Sequence, residues 1–137
     1  MVPIHTLEVL PTVEELNEAV GRAFLSRLSM LINEAGAGSR VNLAISGGAI
    51  TTSLLPSLLP FVGEVDWSRV RVWLVDERYV LAGDADRNDD QAWEGFFRAA
   101  SGVEFVRMPT SDVSAPGAGS LDAATTAFAD TWHELMG

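Results

Sequence analysis

The sequence predicts a doubly wound α/β domain, a mainly parallel sheet with helices on both faces. Short apolar runs rich in branched residues, VNLAI at 41–45 and RVRVWLV at 69–75, have the character of core strands. The longer segments between them repeat apolar residues at helical spacing. The two kinds alternate, and strands joined through helices in one sheet require right-handed crossovers and parallel pairing. With 137 residues, 47% of them hydrophobic, residues 1–137 form one domain with enough apolar material for a core.

Taken in order, IHTLEVL at 4–10 suggests a first strand. Thr12 followed by Glu15 is a capping box, and Leu16, Val20, Phe24, Leu28, Leu31 and Ile32 recur at helical spacing. This predicts a long helix from Val13 to Ala35, ended by AGAGS. VNLAI follows as a strand buried on both faces. Leu54, Leu55, Leu58 and Leu59 fit a helix from Thr51 to Leu59, with Pro56 marking its start or a kink. RVRVWLV, Arg69–Val75, is the clearest core strand. Asn88 with Gln91 is a second cap pattern, opening a helix that runs to Ala100. GVEFVRM is a short strand, PTSDVSAPGAGS a surface loop, and LDAATTAFADTWHELM the last helix. A chain that stops on a helix predicts either a sheet edge or a missing half. The architecture is Rossmann-like.

Composition excludes several classes. The absence of cysteine removes disulfides and thiolate metal sites, so stability rests on packing. MVPIHTLEVLPTVEEL has neither a basic n-region nor an apolar block, which predicts no signal peptide. Residues 41–63 are uncharged, but their glycines, prolines, serines and threonines interrupt them too often for a membrane span. Nineteen acids against nine bases give a net charge of −10, a field that repels a phosphate backbone, so neither nucleic acid nor membrane is an expected partner. All nine bases are arginine. A small anion would have to be held by main-chain N–H groups and one or two of these arginines.

In open parallel sheets ligands bind beyond the carboxyl ends of the strands. Two polar motifs fall there: Ser46-Gly47-Gly48 after Ile45, and Asp76-Glu77-Arg78 after Val75. If their strands are neighbours, all six residues face one crevice. Glycines at a strand-to-helix turn permit positive φ and let an anion approach unpaired helix N–H groups, although a plain tight turn has the same sequence. A charged triplet after a buried strand either opens onto a cleft or closes on itself as an Asp76–Arg78 ion pair. DADRNDD, 84–90, opens like a calcium loop, but Asp89 stands where that loop needs glycine and Gly95 where it needs glutamate, so a solvated acidic loop ending in an Asn88 cap is expected. His5 and His133 have neither a nucleophile nor an orienting acid nearby in sequence. Trp67, Trp73, Trp93 and Trp132 read as core or interface anchors.

The order SGG, then VDWSRVRVWLVDERYV, then an asparagine about ten residues beyond the arginine resembles the amino-terminal half of 6-phosphogluconolactonase. More distantly it is similar to glucosamine-6-phosphate deaminase, which shares the fold and loop but typically has D-E-Y at the second motif. The resemblance covers essentially the whole chain. It implies a cytoplasmic hydrolase that opens 6-phosphogluconolactone without cofactor or metal, with a small sugar phosphate as its partner. It assigns substrate binding to Ser46, Gly47, Gly48, Thr51, Asp76, Arg78 and Asn88. Two departures stand out: Ala49, Ile50 and Thr51 replace the S-T-P that often follows the glycines, and Arg87 precedes Asn88 where serine is common. Members continue into a G-x-G-x-D-G-H-type motif whose histidine is the general base. This sequence has no such motif, so the resemblance implies a domain incomplete at its C-terminus, either inactive alone or a non-catalytic phosphosugar-binding fragment.

Overall fold

The computed structural model describes residues 5–137. Thr12 caps helix α1 (Val13–Glu34) by accepting from the Glu15 N–H at 3.1 Å. Leu25, Leu28 and Ile32 then form its buried stripe. Strands β1 (Val41–Ile45), β2 (Val70–Leu74) and β3 (Glu104–Phe105) make a parallel sheet in the order β1-β2-β3. Val41 lies opposite Val70, and Arg71 opposite Glu104.

Helices α2 (Leu55–Ser57) and α3 (Asn88–Gly95) pack with α1 on one face of the sheet. The core lies there, where Val70, Val72 and Leu74 meet Leu28, Leu58, Ala92, Phe96 and Phe97. Trp67 contacts Phe96 and Phe97 edge-on at 5.3 and 5.8 Å, and donates its indole N–H to the Val62 carbonyl. Each such aromatic pair adds about 0.5–1.5 kcal/mol beyond its burial. Helix α4 (Leu121–Met136), capped by Ser120, covers the opposite face by packing Phe128 edge-on and Trp132 at a tilt against Trp73. The molecule is thus α/β with helices on both faces, as the alternating pattern predicted.

Three local expectations are corrected. His5–Leu10 forms no strand: Leu7 and Val9 are exposed and no neighbouring strand receives the segment. Ile4, the first residue of that expected strand, lies outside the described residues. β1 is not buried on both faces. It ends the sheet, α4 sits over β2, and Asn42 and Ala44 face outward, with Asn42 accepting from the Trp73 indole at 3.0 Å. The Thr51–Leu59 helix is not regular either. Pro56 has no N–H to give and its ring would crowd the Thr52 carbonyl, so the preceding turn widens into a π-turn over Ile50–Leu54, closed by the Leu55 N–H on the Ile50 carbonyl. Beyond Leu58 the chain tightens into a 3₁₀ stretch, Leu59–Glu64.

Candidate functional site

The glycine turn begins where β1 ends. Gly48 has φ +68°, a conformation that costs glycine little and other residues more, and it is followed at once by the π-turn. Its carbonyl is the anchor of that turn, accepting from the N–H groups of Thr51 and Thr52 and from both of their hydroxyls. Thr51 is buried, and its hydroxyl also faces Gln91 at 3.1 Å. Thr51 therefore braces the loop from inside, while Ser46 and Thr52 are exposed beside it.

Gly47 brings the two motifs together. A Cβ there would fall 2.0 Å from Asn88 Oδ1, so only glycine lets the Asn88 side chain lie against the turn. From the same position Asn88 extends its amide toward the Asp76 carbonyl at 3.4 Å. Gly47→Ala should push Asn88 away and cost about 1–3 kcal/mol, the usual range for overpacking. Urea unfolding of the variant checks this, and an unchanged midpoint would show that Asn88 swings aside freely.

The three residues of Asp76-Glu77-Arg78 divide their tasks. Asp76 and Arg78 are exposed. The hydrogen bonds of Arg78 are main-chain ones, and among the described residues its guanidinium enters no ion pair, so the Asp76–Arg78 bridge that spacing allowed is not formed. Glu77 is among the residues that line the crevice, but its side chain is only 2% exposed. Its two oxygens accept from the N–H groups of Asn88 (2.7 Å) and Asp89 (2.8 Å), capping α3 from the loop after β2, and Oε1 also takes the Arg78 N–H. This corrects the expected Asn88 cap. Asn88 is the first residue inside the helix and Arg87 the residue before it.

The acidic run at 84–90 is not a solvated loop throughout. Asp84 Oδ1 turns back to the Asp86 N–H, but Arg87 and Asp89 are buried, at 1% and 3% exposure. Arg87 gives Nε and Nη2 to Asp89 Oδ2 at 3.2 and 2.8 Å, and Arg107 approaches the same oxygen at 3.3 Å. Burial alone would raise the Asp89 carboxyl. The hydrogen bond and charge of Arg87, the Asp90 N–H and the charge of Arg107 outweigh it and hold the group below its usual value.

A cavity of about 320 Å³ opens at the carboxyl edge of the sheet, lined by Asp76 and Arg78, by Met108 and Pro109, and by Leu121 and Thr125 of α4. The glycine turn lies next to it rather than in its wall, joined through Asn88. A larger groove of about 740 Å³ runs between α1 and the Leu58–Glu64 stretch, away from both motifs. Glu14, Glu18 and Glu64 rim it, and its one arginine, Arg22, is paired with Glu18, so it would repel an anion. His133 sits at the far end of α4, near Leu135, whose carbonyl is bonded by Arg71 in the first half of β2. His5 is exposed in the irregular segment before α1.

The carboxyl edge of the parallel sheet thus carries a cavity walled in part by an exposed arginine, with a glycine turn beside it, at the place where open α/β sheets usually hold their ligands. The chain belongs to the glucosamine-6-phosphate isomerase/6-phosphogluconolactonase family, whose model matches residues 11–137. It is 32% identical to a 6-phosphogluconolactonase of Mycobacterium leprae over 129 residues, covering 90% of this chain and 49% of the relative. With a 6-phosphogluconolactonase of Streptomyces coelicolor it shares 30% over 117 residues, 82% of this chain and 44% of the relative. The chain thus spans about half the length of the relatives it matches. Crystal structures of 6-phosphogluconolactonases from Leishmania guyanensis (TM-score 0.68, 19% identity, 94% of this chain and 49% of that one) and Shewanella baltica (TM-score 0.67, 23% identity, 90% and 48%) share the fold.

Sequence reasoning missed Arg87 and Asp89 as site-shaping residues, and in Glu77, which it placed at the crevice, it missed the capping role. The signal available for Glu77 was its place inside a charged triplet after a core strand. Arg87 and Asp89 carried none beyond their departure from a familiar pair.

Proposed function

We propose that this chain supplies the phosphosugar-binding half of a 6-phosphogluconolactonase, an enzyme that hydrolyses 6-phospho-D-glucono-1,5-lactone to 6-phosphogluconate in the oxidative pentose phosphate pathway. The observation that carries the reading is Arg78, exposed in the lining of the cavity with a guanidinium that, among the described residues, is committed to no carboxylate. The family membership supplies the class of chemistry. In the reaction water attacks the lactone carbonyl, a base takes its proton, and the ring C–O bond breaks with the ring oxygen leaving as a hydroxyl.

In this reading the main-chain N–H groups around Ser46, Gly47 and Gly48 receive phosphate oxygens at the start of a helical turn. Arg78 binds an anionic oxygen or steadies the charge that develops on the carbonyl oxygen. Asp76 meets sugar hydroxyls, Asn88 stands between loop and cavity, and Thr51 acts by bracing the turn. Arg78→Ala should weaken 6-phosphogluconate binding about 10- to 150-fold, the worth of a charge-assisted hydrogen bond. Calorimetric titration reads this directly, and unchanged affinity would remove Arg78 from the site.

A further inference from the structure

Arg87 stands where the resemblance leads one to expect serine, and nothing in the proposed reaction uses it. We propose that Arg87 is a positioning residue whose guanidinium clamps together the two loops that wall the cavity and so fixes where Arg78 stands. The inference rests on the reading of Arg78 as a ligand contact.

The geometry is specific. Nη1 donates to the Arg78 carbonyl at 2.8 Å and the Pro109 carbonyl at 3.3 Å, Nη2 to the Met108 carbonyl at 2.8 Å, and Nε and Nη2 to Asp89. Arg78 comes from the loop after β2, and Met108 and Pro109 from the segment after β3. All three line the cavity. The five N–H donors of one planar group thus meet five hydrogen bonds, joining both walls while Asp89 neutralises the charge out of water. A lysine offers three donors on one nitrogen and cannot span the same set. Because the acceptor on the first wall is the carbonyl of Arg78 itself, loosening the clamp moves the backbone from which that side chain projects. A further main-chain bond crosses the same gap, from the Ser111 N–H to the Val80 carbonyl at 2.8 Å, and its exchange with solvent reports on the joint.

The test compares Arg87→Lys, Arg78→Ala and the double variant in the 137-residue chain, each shown folded by circular dichroism. Affinity for 6-phosphogluconate is measured by calorimetry and amide exchange by NMR. Arg87→Lys is expected to weaken binding about tenfold, with no further loss when Arg78 is already alanine, since coupled residues are non-additive. The Ser111 amide should exchange at least about tenfold faster while Val72, in the core strand, keeps its rate. If Arg87→Lys does not fold, Asp89→Asn, which frees the guanidinium from its carboxylate, carries the same readouts. Losses that simply add, or an unchanged Ser111 rate, overturn the clamp and leave the Arg78 reading intact. An Arg78→Ala variant that binds normally overturns that reading and the positioning role with it.

Discussion

Asp89→Ala should destabilise the fold by about 3–5 kcal/mol, the cost of removing one partner of a buried ion pair. The magnitude follows from what is left behind. Arg87 is 1% exposed and cannot turn to water, so its charge would remain in the core with Arg107 nearby and only main-chain carbonyls and the more distant Glu77 to offset it. Denaturant unfolding checks the value, and a loss below about 1 kcal/mol would show that water reaches the cluster. Replacing both partners, Arg87→Met with Asp89→Leu, should cost less than the two single losses together, because no unpaired charge remains. The pH dependence has a definite sign. The Asp89 carboxyl is held below its unfolded value, so its contribution is present above the unfolded carboxylate pKa and is lost as pH falls through the folded one. Wild type should lose stability on acidification in that window, and the Asp89→Ala variant should lose less there.

What could be read from the residues was local. Thr12, its partner Glu15 and the apolar stripe of α1 lie within one helix, and the core strand β2 carries its pattern in consecutive residues. The glycine turn was legible because a strand followed by two glycines has few other uses. The strand expected over IHTLEVL and not formed at His5–Leu10 shows the limit: alternation describes a strand only if a neighbour offers a ladder, and pairing is not encoded in the segment itself. The ion cluster failed for the same reason. Glu77 caps a helix eleven residues further on, and Arg87 finds its acceptors at Arg78, Met108 and Pro109 only once three strands are aligned. Charges in a run full of aspartates read as solvated until packing shows which of them are enclosed. Asn88 was singled out for its place in a family pattern, but its contact with Gly47 came from the close approach of two loops that sequence spacing does not measure.

Fused to the second half of a relative such as the Mycobacterium leprae 6-phosphogluconolactonase, or mixed with that half as a separate fragment, this chain should hydrolyse 6-phosphogluconolactone about 10²–10⁴ times faster than it does alone. That range is what a positioned general base contributes, and among the described residues no histidine is placed to serve as one. The cavity is walled by the first turns of α4 at Leu121 and Thr125, whereas His133 lies twelve residues past Leu121, about 18 Å along the helix, toward the opposite edge of the sheet. His5 is exposed before α1. The chain by itself should bind the product and turn the lactone over weakly, through orientation and the charge of Arg78 alone. Acid release from freshly generated lactone, corrected for spontaneous opening, measures both preparations. Full activity in the 137-residue chain that disappears in His133→Ala would place the base on α4 and refute this geometry. Turnover of glucosamine 6-phosphate by the completed protein, with the lactone left untouched, would instead move the assignment to the isomerase branch of the family, because the same glycine turn and arginine would then be serving an amino sugar.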